Sequence, residues 1–180
     1  MDALIRPWNA DKDAPSLRAA ITCDDPDLAR QMAGHGPDDA SLVKLFANEY
    51  GTPNASHAPF AIVLGGKAVG NVGISAMEDT HLSGWCHYWL LPAARGLGLA
   101  SRALAAAADW AFAERGLQRL ELGHRTNNPA SCGVATRAGF QAEGVERGKL
   151  LYDGARYDVE LHARLHTDPT PELAPLRRKG

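Results

Sequence analysis

The spacing of apolar residues changes several times along this chain of 180 residues, and each change predicts a new element. The opening run "ALIRPW" predicts a short first strand that ends at Pro7. Helical spacing follows over residues 11–21 and again over 38–50, where Leu42 and Leu45 fall on one face. The stretch between these helices, "DDPDLARQMAGHGPDD", fits neither period. The first quarter therefore predicts one strand and two helices.

Strands dominate the middle of the chain. "APFAIVLGGKAVGNVGISAM" predicts two strands joined at Gly65 and Gly66, a pair that suits a hairpin turn. "GWCHYWLLP" predicts another strand that ends at Pro92. A loop containing glycine then leads into an alanine-rich helix over residues 99–114, and "LQRLELGHR" predicts the next strand.

The last third combines a short helix with a long hairpin. The helix begins near Pro129, which suits a first turn, and stops at Gly139. Two long runs follow and are joined by Asp153 and Gly154, the strongest hairpin signal in the chain. Residues 167–180 are proline-rich and polar, which predicts a disordered tail after a single domain over 1–166.

This order of elements predicts a mixed α/β sheet with an antiparallel front half. It excludes a doubly wound dinucleotide fold, because strand and helix do not alternate throughout. With 45% hydrophobic residues, the chain is long enough for one core of ordinary size.

Charge and cysteine usage exclude several classes of function. A formal net charge of -2 gives no general attraction to nucleic acid or to an acidic membrane. The three cysteines are scattered, so we expect neither a disulfide framework nor a metal site. The amino-terminal residues contain no apolar signal core, and no stretch is as long as a membrane span, so we expect a soluble cytoplasmic protein.

The loop "RGLG", residues 95–98, carries the first indication of chemistry. A helix start is usually capped by a Ser, Thr, Asp or Asn oxygen, and this loop offers none. Uncapped N–H groups and the helix dipole form a site for an anion, and glycine lets a phosphate approach the backbone. The other interpretation is a tight turn between a strand and a helix. Neither a Walker loop nor a dinucleotide fingerprint is present.

Two sequence motifs resemble those of a known family. Residues 95–100, "RGLGLA", match the Arg-x-x-Gly-x-Gly/Ala signature of the GCN5-related N-acetyltransferases. "NPAS" at 128–131, then "ATRAGF" and "EGVERG", resemble the RimJ/RimL-type branch, which acetylates ribosomal proteins on the α-amine. The closing "GARYDVELHARL", with Tyr157 and Asp158, resembles the last strand of that branch. The resemblance spans roughly residues 4–165.

The resemblance implies a fold and a cofactor site. The fold would be a splayed, mostly antiparallel mixed sheet of about seven strands flanked by helices. Acetyl-coenzyme A would be the co-substrate, and no metal is implied. Its pantetheine arm would pair with the backbone of Leu90 and Leu91, and Asn128 would bind the arm or cap the short helix. The pyrophosphate would lie on seven residues: Arg95, Gly96, Leu97, Gly98, Leu99, Ala100 and Ser101.

The resemblance also implies catalytic roles, but it accounts for a proton donor and leaves the base without a matching glutamate. Ser131 matches the serine that would protonate the coenzyme A thiolate, although serine is also common in a first helical turn. The two positions where related enzymes often carry a glutamate base hold Trp85 and Leu150. His87 is the base that we name, and five further candidates remain: Glu121, His124, Glu146, Tyr157 and Asp158.

The missing glutamates favour a weakly basic acceptor. An α-amine has an unperturbed pKa of about 8, against about 10.4 for a lysine side chain, so it needs less help to lose a proton. We therefore expect an enzyme that moves an acetyl group to the α-amine of a protein or peptide. The alternatives are an acetyltransferase for a small-molecule amine and a catalytically silent module that binds acyl-coenzyme A. A homodimer is expected from the sheet edges of the final hairpin.

Overall fold

The computed structural model describes residues 2–180. Helices are short, and the strands after residue 57 carry most of the sheet. The strands are β1 Ala3–Pro7, β2 Ala58–Leu64, β3 Lys67–Glu78, β4 Ser83–Leu90, β5 Arg119–Arg125, β6 Gln141–Tyr152, β7 Ala155–Leu165 and β8 Arg177–Arg178. The helices are α1 Ala10–Thr22, α2 Pro26–Gln31, α3 Asp39–Asn48, α4 Leu99–Ala113 and α5 Pro129–Arg137, with a 3-10 turn at Pro92–Ala94.

All the strands of this part of the chain belong to one mixed sheet in the order β6-β7-β5-β4-β3-β2-β1-β8. Neighbours pair antiparallel except β4 with β5 and β1 with β8. The predicted mixed, mostly antiparallel sheet flanked by helices is therefore confirmed, with an eighth strand of two residues.

The sheet opens between β4 and β5. These strands pair only from Ser83 to Trp85 on β4 and from Arg119 to Glu121 on β5. Beyond that point β4 keeps β3 as its partner up to Leu90, whereas β5 keeps β7 up to Arg125. A gap therefore begins after Trp85, in the middle of an otherwise continuous sheet.

Two hydrophobic clusters hold the helices on the sheet. The alanine-rich α4 packs closely on one of them, because small side chains at Ala103, Ala107 and Ala111 are fully buried there. The other cluster contains Trp8 and Trp89 together with residues of α1, α2 and α3. Because the helices cover the sheet in this way, the gap between β4 and β5 has packed walls.

Two segments differ from the sequence-based expectation. Part of the stretch without a clear period forms α2, capped by Asp25, whose side chain accepts a hydrogen bond of 2.8 Å from the Leu28 amide. The tail was expected to be disordered from residue 167, yet Leu176 is buried and β8 pairs with β1. One apolar side chain and a two-residue pairing give no period that a sequence pattern could reveal. Across residues 2–180, no helix has the length and apolarity needed to cross a membrane.

Candidate active site

The glycine loop leaves the start of α4 without a side-chain cap. Gly96 and Gly98 have φ angles of 75° and 70°, and Gly98 occupies the cap position of α4 with no side-chain hydrogen bond. Glycine adopts this left-handed conformation at no steric cost. The first-turn N–H groups and the positive end of the helix dipole therefore remain available to an anion. This geometry fits the pyrophosphate of coenzyme A.

Side chains of the loop point elsewhere. Leu99 and Ala100 are buried in the core beneath α4, whereas Leu97 is 43% exposed. The hydroxyl of Ser101 is buried and accepts a hydrogen bond of 3.2 Å from Nε of Arg137. The loop thus offers backbone groups to a ligand. The sequence reasoning missed Arg137, whose guanidinium reaches the first turn of α4 from the end of α5.

Arg95 connects three parts of the site. Its Nη1 donates to Oδ2 of Asp25 at 2.6 Å, and its Nε donates to the carbonyl of Leu90 at 3.2 Å. The pKa of the Asp25 carboxyl is lowered, first by this hydrogen bond from Arg95 and then by the Leu28 amide. Arg95 therefore supports the glycine loop by fixing it against α2 and the end of β4.

The end of β4 presents unpaired backbone groups to the gap. The amide of Leu91 donates to Val69 at 2.9 Å, and the carbonyl of Leu91 accepts from Ala94 at 2.9 Å, so both backbone groups of Leu91 are engaged. Because backbone groups alternate in direction along an antiparallel ladder, those of Tyr88 and Leu90 point away from β3 and towards the gap. Of the two residues expected to pair with pantetheine, Leu90 is the one that faces the gap, and because its carbonyl accepts from Arg95, its amide is the group left for a ligand.

A cavity of about 300 Å³ occupies the gap. Its walls come from β4 and β5, its ends from the start of α5 and the end of β6, and its mouth from α2. The lining residues are Asp27, Arg30, Gln31, Trp85, Cys86, His87, Tyr88, Leu122, Gly123, His124, Arg125, Asn128, Ser131, Leu150 and Tyr152.

Ser131 and Asn128 lie together in this cavity at the start of α5. The side chain of Asn128 caps α5 and accepts from the Ser131 amide at 3.1 Å. The hydroxyl of Tyr88 donates to the carbonyl of Ser131 at 3.2 Å. Burial raises the pKa of Tyr88 to about 12, so its hydroxyl stays protonated at neutral pH. Asn128 and Tyr88 therefore hold the backbone of Ser131 from both sides of the cavity. Tyr88 was not among the site residues predicted from the sequence.

His87 lies between this cavity and a second one of about 280 Å³ beneath α2 and α3. Its ring stacks on that of His57 with centroids 5.9 Å apart. Burial, and next the charge of His57, lowers the pKa of His87 to about 4. The ring is therefore neutral at pH 7, but it is a weak proton acceptor.

The other base candidates are engaged elsewhere. Both positions that lack the family glutamate, Trp85 and Leu150, line the main cavity, so the substitutions lie where the chemistry would occur. Among the candidates, only His87 and His124 share that lining. Arg119 donates to Glu121 at 2.6 Å, the Gly148 amide donates to Asp158 at 2.7 Å, Lys149 pairs with Glu146, and the guanidinium of Arg125 lies over the ring of Tyr157.

Ion pairs occupy the mouth of the cavity. Asp27 on α2 accepts from Nη2 of Arg125 at 2.5 Å and from Nη1 of Arg30 at 3.1 Å. Arg30 also lies over the ring of Tyr152, 5.5 Å from its centroid. Asp27 is the one carboxylate among the lining residues given above, and both of its partners are arginines. An incoming amine therefore meets no unpaired negative charge in this lining.

This arrangement is shared with a known family. A family model described as an acetyltransferase (GNAT) domain matches residues 2–141. The chain belongs to the GNAT acetyltransferase family. The resemblance in "RGLGLA" and "NPAS" is thereby confirmed at the level of the family.

Curated relatives match part of the chain. The ribosomal-protein-serine acetyltransferase of Escherichia coli (strain K12) is 32% identical over 107 residues, which is 59% of each protein. The probable N-acetyltransferase YjcK of Bacillus subtilis (strain 168) is 35% identical over 81 residues, 45% of each. The matches thus span about half the length of these relatives.

A solved structure covers more of the molecule. Mycobacterium smegmatis RimJ in complex with CoA-disulfide has a TM-score of 0.73 and 27% identity, over 91% of this chain and 82% of that one. The RimJ/RimL-type resemblance is confirmed by this neighbour and by the ribosomal-protein-serine relative.

Proposed function

We propose that this protein is an Nα-acetyltransferase that moves an acetyl group from acetyl-coenzyme A to the α-amine of a protein or peptide. The observation that carries this proposal is the cavity between β4 and β5, which has Asn128 and Ser131 at one end and no unpaired carboxylate in its lining. The cofactor, when bound, supplies an activated thioester.

The cofactor would be held mainly by backbone groups. The amides of the Gly96–Ala100 loop and the uncapped start of α4 suit its pyrophosphate. The backbone amide of Leu90, whose carbonyl already accepts from Arg95, suits its extended arm. The side-chain oxygen of Asn128 already caps α5, so the NH2 group of its side-chain amide is the part left to bind the arm. Support also comes from Mycobacterium smegmatis RimJ, whose solved structure is in complex with CoA-disulfide.

Transfer forms a bond between the amine nitrogen and the acetyl carbon and breaks the thioester bond to sulfur. It therefore requires one proton at the sulfur. The Ser131 hydroxyl is the proton donor in this proposal, because the residue lines the cavity and its backbone is fixed by Asn128 and Tyr88. Tyr88 is a positioning residue.

The amine must also lose a proton. His87 has a pKa of about 4, so taking a proton from an ammonium group of pKa about 8 would cost roughly 5 kcal/mol. A lysine or polyamine ammonium would need still more help, and the lining has no unpaired carboxylate to provide it. An α-amine is already deprotonated to the order of ten per cent at pH 7, so it can release its proton to water.

The test compares three acceptors with the full chain and acetyl-coenzyme A, by release of free thiol. One is a peptide with a free α-amine and no lysine. The second is the same peptide with a blocked α-amine and one lysine, and the third is spermidine. At pH 7 we expect kcat/KM to favour the first by about 100-fold. The rate should rise with pH in one step, as the α-amine of pKa about 8 loses its proton.

Other outcomes would select the alternatives. Equal or faster turnover of spermidine would make this a small-molecule acetyltransferase. A limb near pKa 10 would indicate a lysine-like acceptor. Tight binding of coenzyme A without turnover of any amine would indicate the silent module.

A further inference from the structure

Four side chains that the proposed reaction does not use converge beside the cavity. They are His124 on β5, Cys132 on α5, and Glu160 and His162 on β7. One nitrogen, sulfur or oxygen atom from each lies within 4.8 Å of all the others. Both histidines are buried, with 7% and 2% of their surface exposed. This set, the His/Cys/Glu cluster, combines the ligand types that zinc prefers in proteins.

Hydrogen bonds fix which nitrogen of each ring faces the cluster. Nδ1 of His124 lies 3.0 Å from the carbonyl of Arg125, and Nδ1 of His162 lies 3.3 Å from the carbonyl of Phe140. Because a carbonyl only accepts, each Nδ1 must carry the hydrogen, and in a neutral ring Nε2 then has a bare lone pair. Histidines that bind a metal through Nε2 typically donate their Nδ1–H to a backbone carbonyl in this way.

Three electron-rich atoms therefore face one another. The two Nε2 atoms are 3.1 Å apart, and Oε2 of Glu160 lies 3.0 Å from Nε2 of His162 and 3.4 Å from that of His124. A single proton on Nε2 of His162 could be shared by at most two of these three contacts, those to His124 and Glu160. A cation at the centre would satisfy all of them.

The spacing matches a tetrahedral metal. With metal–nitrogen and metal–oxygen bonds near 2.1 Å, neighbouring ligand atoms of a tetrahedron are about 3.4 Å apart. The three observed distances, 3.0, 3.1 and 3.4 Å, lie close to that value. The Cys132 sulfur is the fourth candidate ligand, within 4.8 Å of the other three atoms.

We propose that the His/Cys/Glu cluster binds one Zn²⁺ ion through His124, Cys132, Glu160 and His162. Binding converts the Cys132 thiol to a thiolate and releases its proton to solvent. One thiolate, one carboxylate and two neutral imidazoles then balance the two positive charges of the ion. A net charge of zero suits a site with two buried histidines, because an unbalanced buried charge is costly.

The ion would connect β5, α5 and β7 behind the cavity. Cys132 directly follows Ser131, so the metal would fix the first turn of the helix that carries the proposed proton donor. The expectation of no metal came from the scattered cysteines and from the family resemblance, which implies none. The cluster uses a single cysteine, so cysteine spacing could not reveal it.

The test measures zinc binding and needs no activity assay. The full-length protein is freed of metal with a chelator, and Zn²⁺ is titrated in competition with a chelating dye. We expect saturation at one ion per chain. Cys132→Ser and His124→Gln should each weaken binding by about tenfold or more. Their matched controls are Cys23→Ser and His81→Gln, which alter the same residue types outside the cluster and should bind like the unsubstituted protein.

A second measurement needs no substitution in a buried cluster. Co²⁺ bound to the unsubstituted protein should show the visible bands of tetrahedral coordination and a near-ultraviolet band from sulfur to cobalt. Absence of that sulfur band would overturn the proposal. So would failure to saturate at one Zn²⁺ per chain, or a loss of less than about tenfold in folded Cys132→Ser.

Discussion

The proposed site has a cofactor end, at the end of β4 and the start of α4, and an acceptor end, at the cavity between β4 and β5, and the two are built in different ways. At the cofactor end, the amide of Leu90 and the uncapped N–H groups of α4 are left for a ligand, while the carbonyl of Leu90 accepts from Arg95. At the acceptor end, side chains from α2, β5 and the β6–β7 hairpin dominate, and the charged ones pair with each other, as Asp27 does with Arg125. Nothing at the mouth resembles the free anion site of the loop.

Because the two ends are built differently, they can recognise different kinds of ligand. A backbone site recognises a pyrophosphate or an extended arm with little dependence on side chains, so it suits a co-substrate common to a whole family. Selection of an acceptor needs particular side chains at particular places. Trp85 and Leu150, the two positions where the resemblance implies a glutamate, both lie in the cavity lining.

The strongest test of the comparison disrupts the backbone site. Gly98→Glu should weaken binding of coenzyme A by about 100-fold or more. The substitution places a negative charge at the start of α4, on a residue whose backbone has the left-handed conformation. The measurement is calorimetric titration with coenzyme A. Gly116→Glu is the matched control, since Gly116 also has a φ of 70° and open space around it, near the other end of α4. Equal losses in both variants would mean that backbone strain, rather than the anion site, explains the effect.

Ser131→Ala removes a side chain from the boundary between the two ends. We expect kcat to fall by about 100-fold, a typical loss for a general acid, while the Kd for coenzyme A stays within about threefold. Steady-state kinetics measures kcat, and calorimetric titration measures the Kd for coenzyme A. Ser16→Ala is the control, because the Ser16 hydroxyl bonds to the carbonyl of Ala68 outside the cavity. An unchanged kcat in Ser131→Ala would leave the proton to another donor.

His87 gives a prediction for stability against pH. Its pKa of about 4 lies below the unfolded value of about 6.5, so the unfolded chain binds more protons between these pH values. The stability that this neutral ring contributes is fully present above pH 6.5 and falls as pH drops towards 4, by at most about 3 kcal/mol. Urea unfolding at pH 7 and pH 4.5 should show a smaller drop in His87→Gln than in the unsubstituted chain. Equal drops would contradict the low pKa.

The smallest expected effect comes from adding a base to the acceptor end. Leu150→Glu places a carboxylate in the cavity lining and should raise turnover of a lysine-containing, α-blocked peptide by about tenfold. Leu151→Glu is the control, because Leu151 is the next residue of β6 and is 56% exposed. Thiol release measures both. A similar gain in both variants would indicate a general effect of surface charge.

Local sequence signals predicted the parts of the site that depend on neighbouring residues. The loop "RGLG", the cap at Asn128 and the turn at Asp153 and Gly154 each occupy a few consecutive positions, and the structure contains each of them. They could be read from the chain because backbone conformation and capping depend on residues close in sequence.

The chain by itself determined the order of elements apart from α2 and β8, the uncapped glycine loop before α4, and the family. Only the tertiary structure decided that β4 and β5 separate after Trp85, that the tail docks beside β1, and that His124 meets His162. The physical reason is that these features depend on strand register and on packing between distant segments. A pairing between β5 and β7 brings together residues 38 positions apart, and no local period encodes that distance.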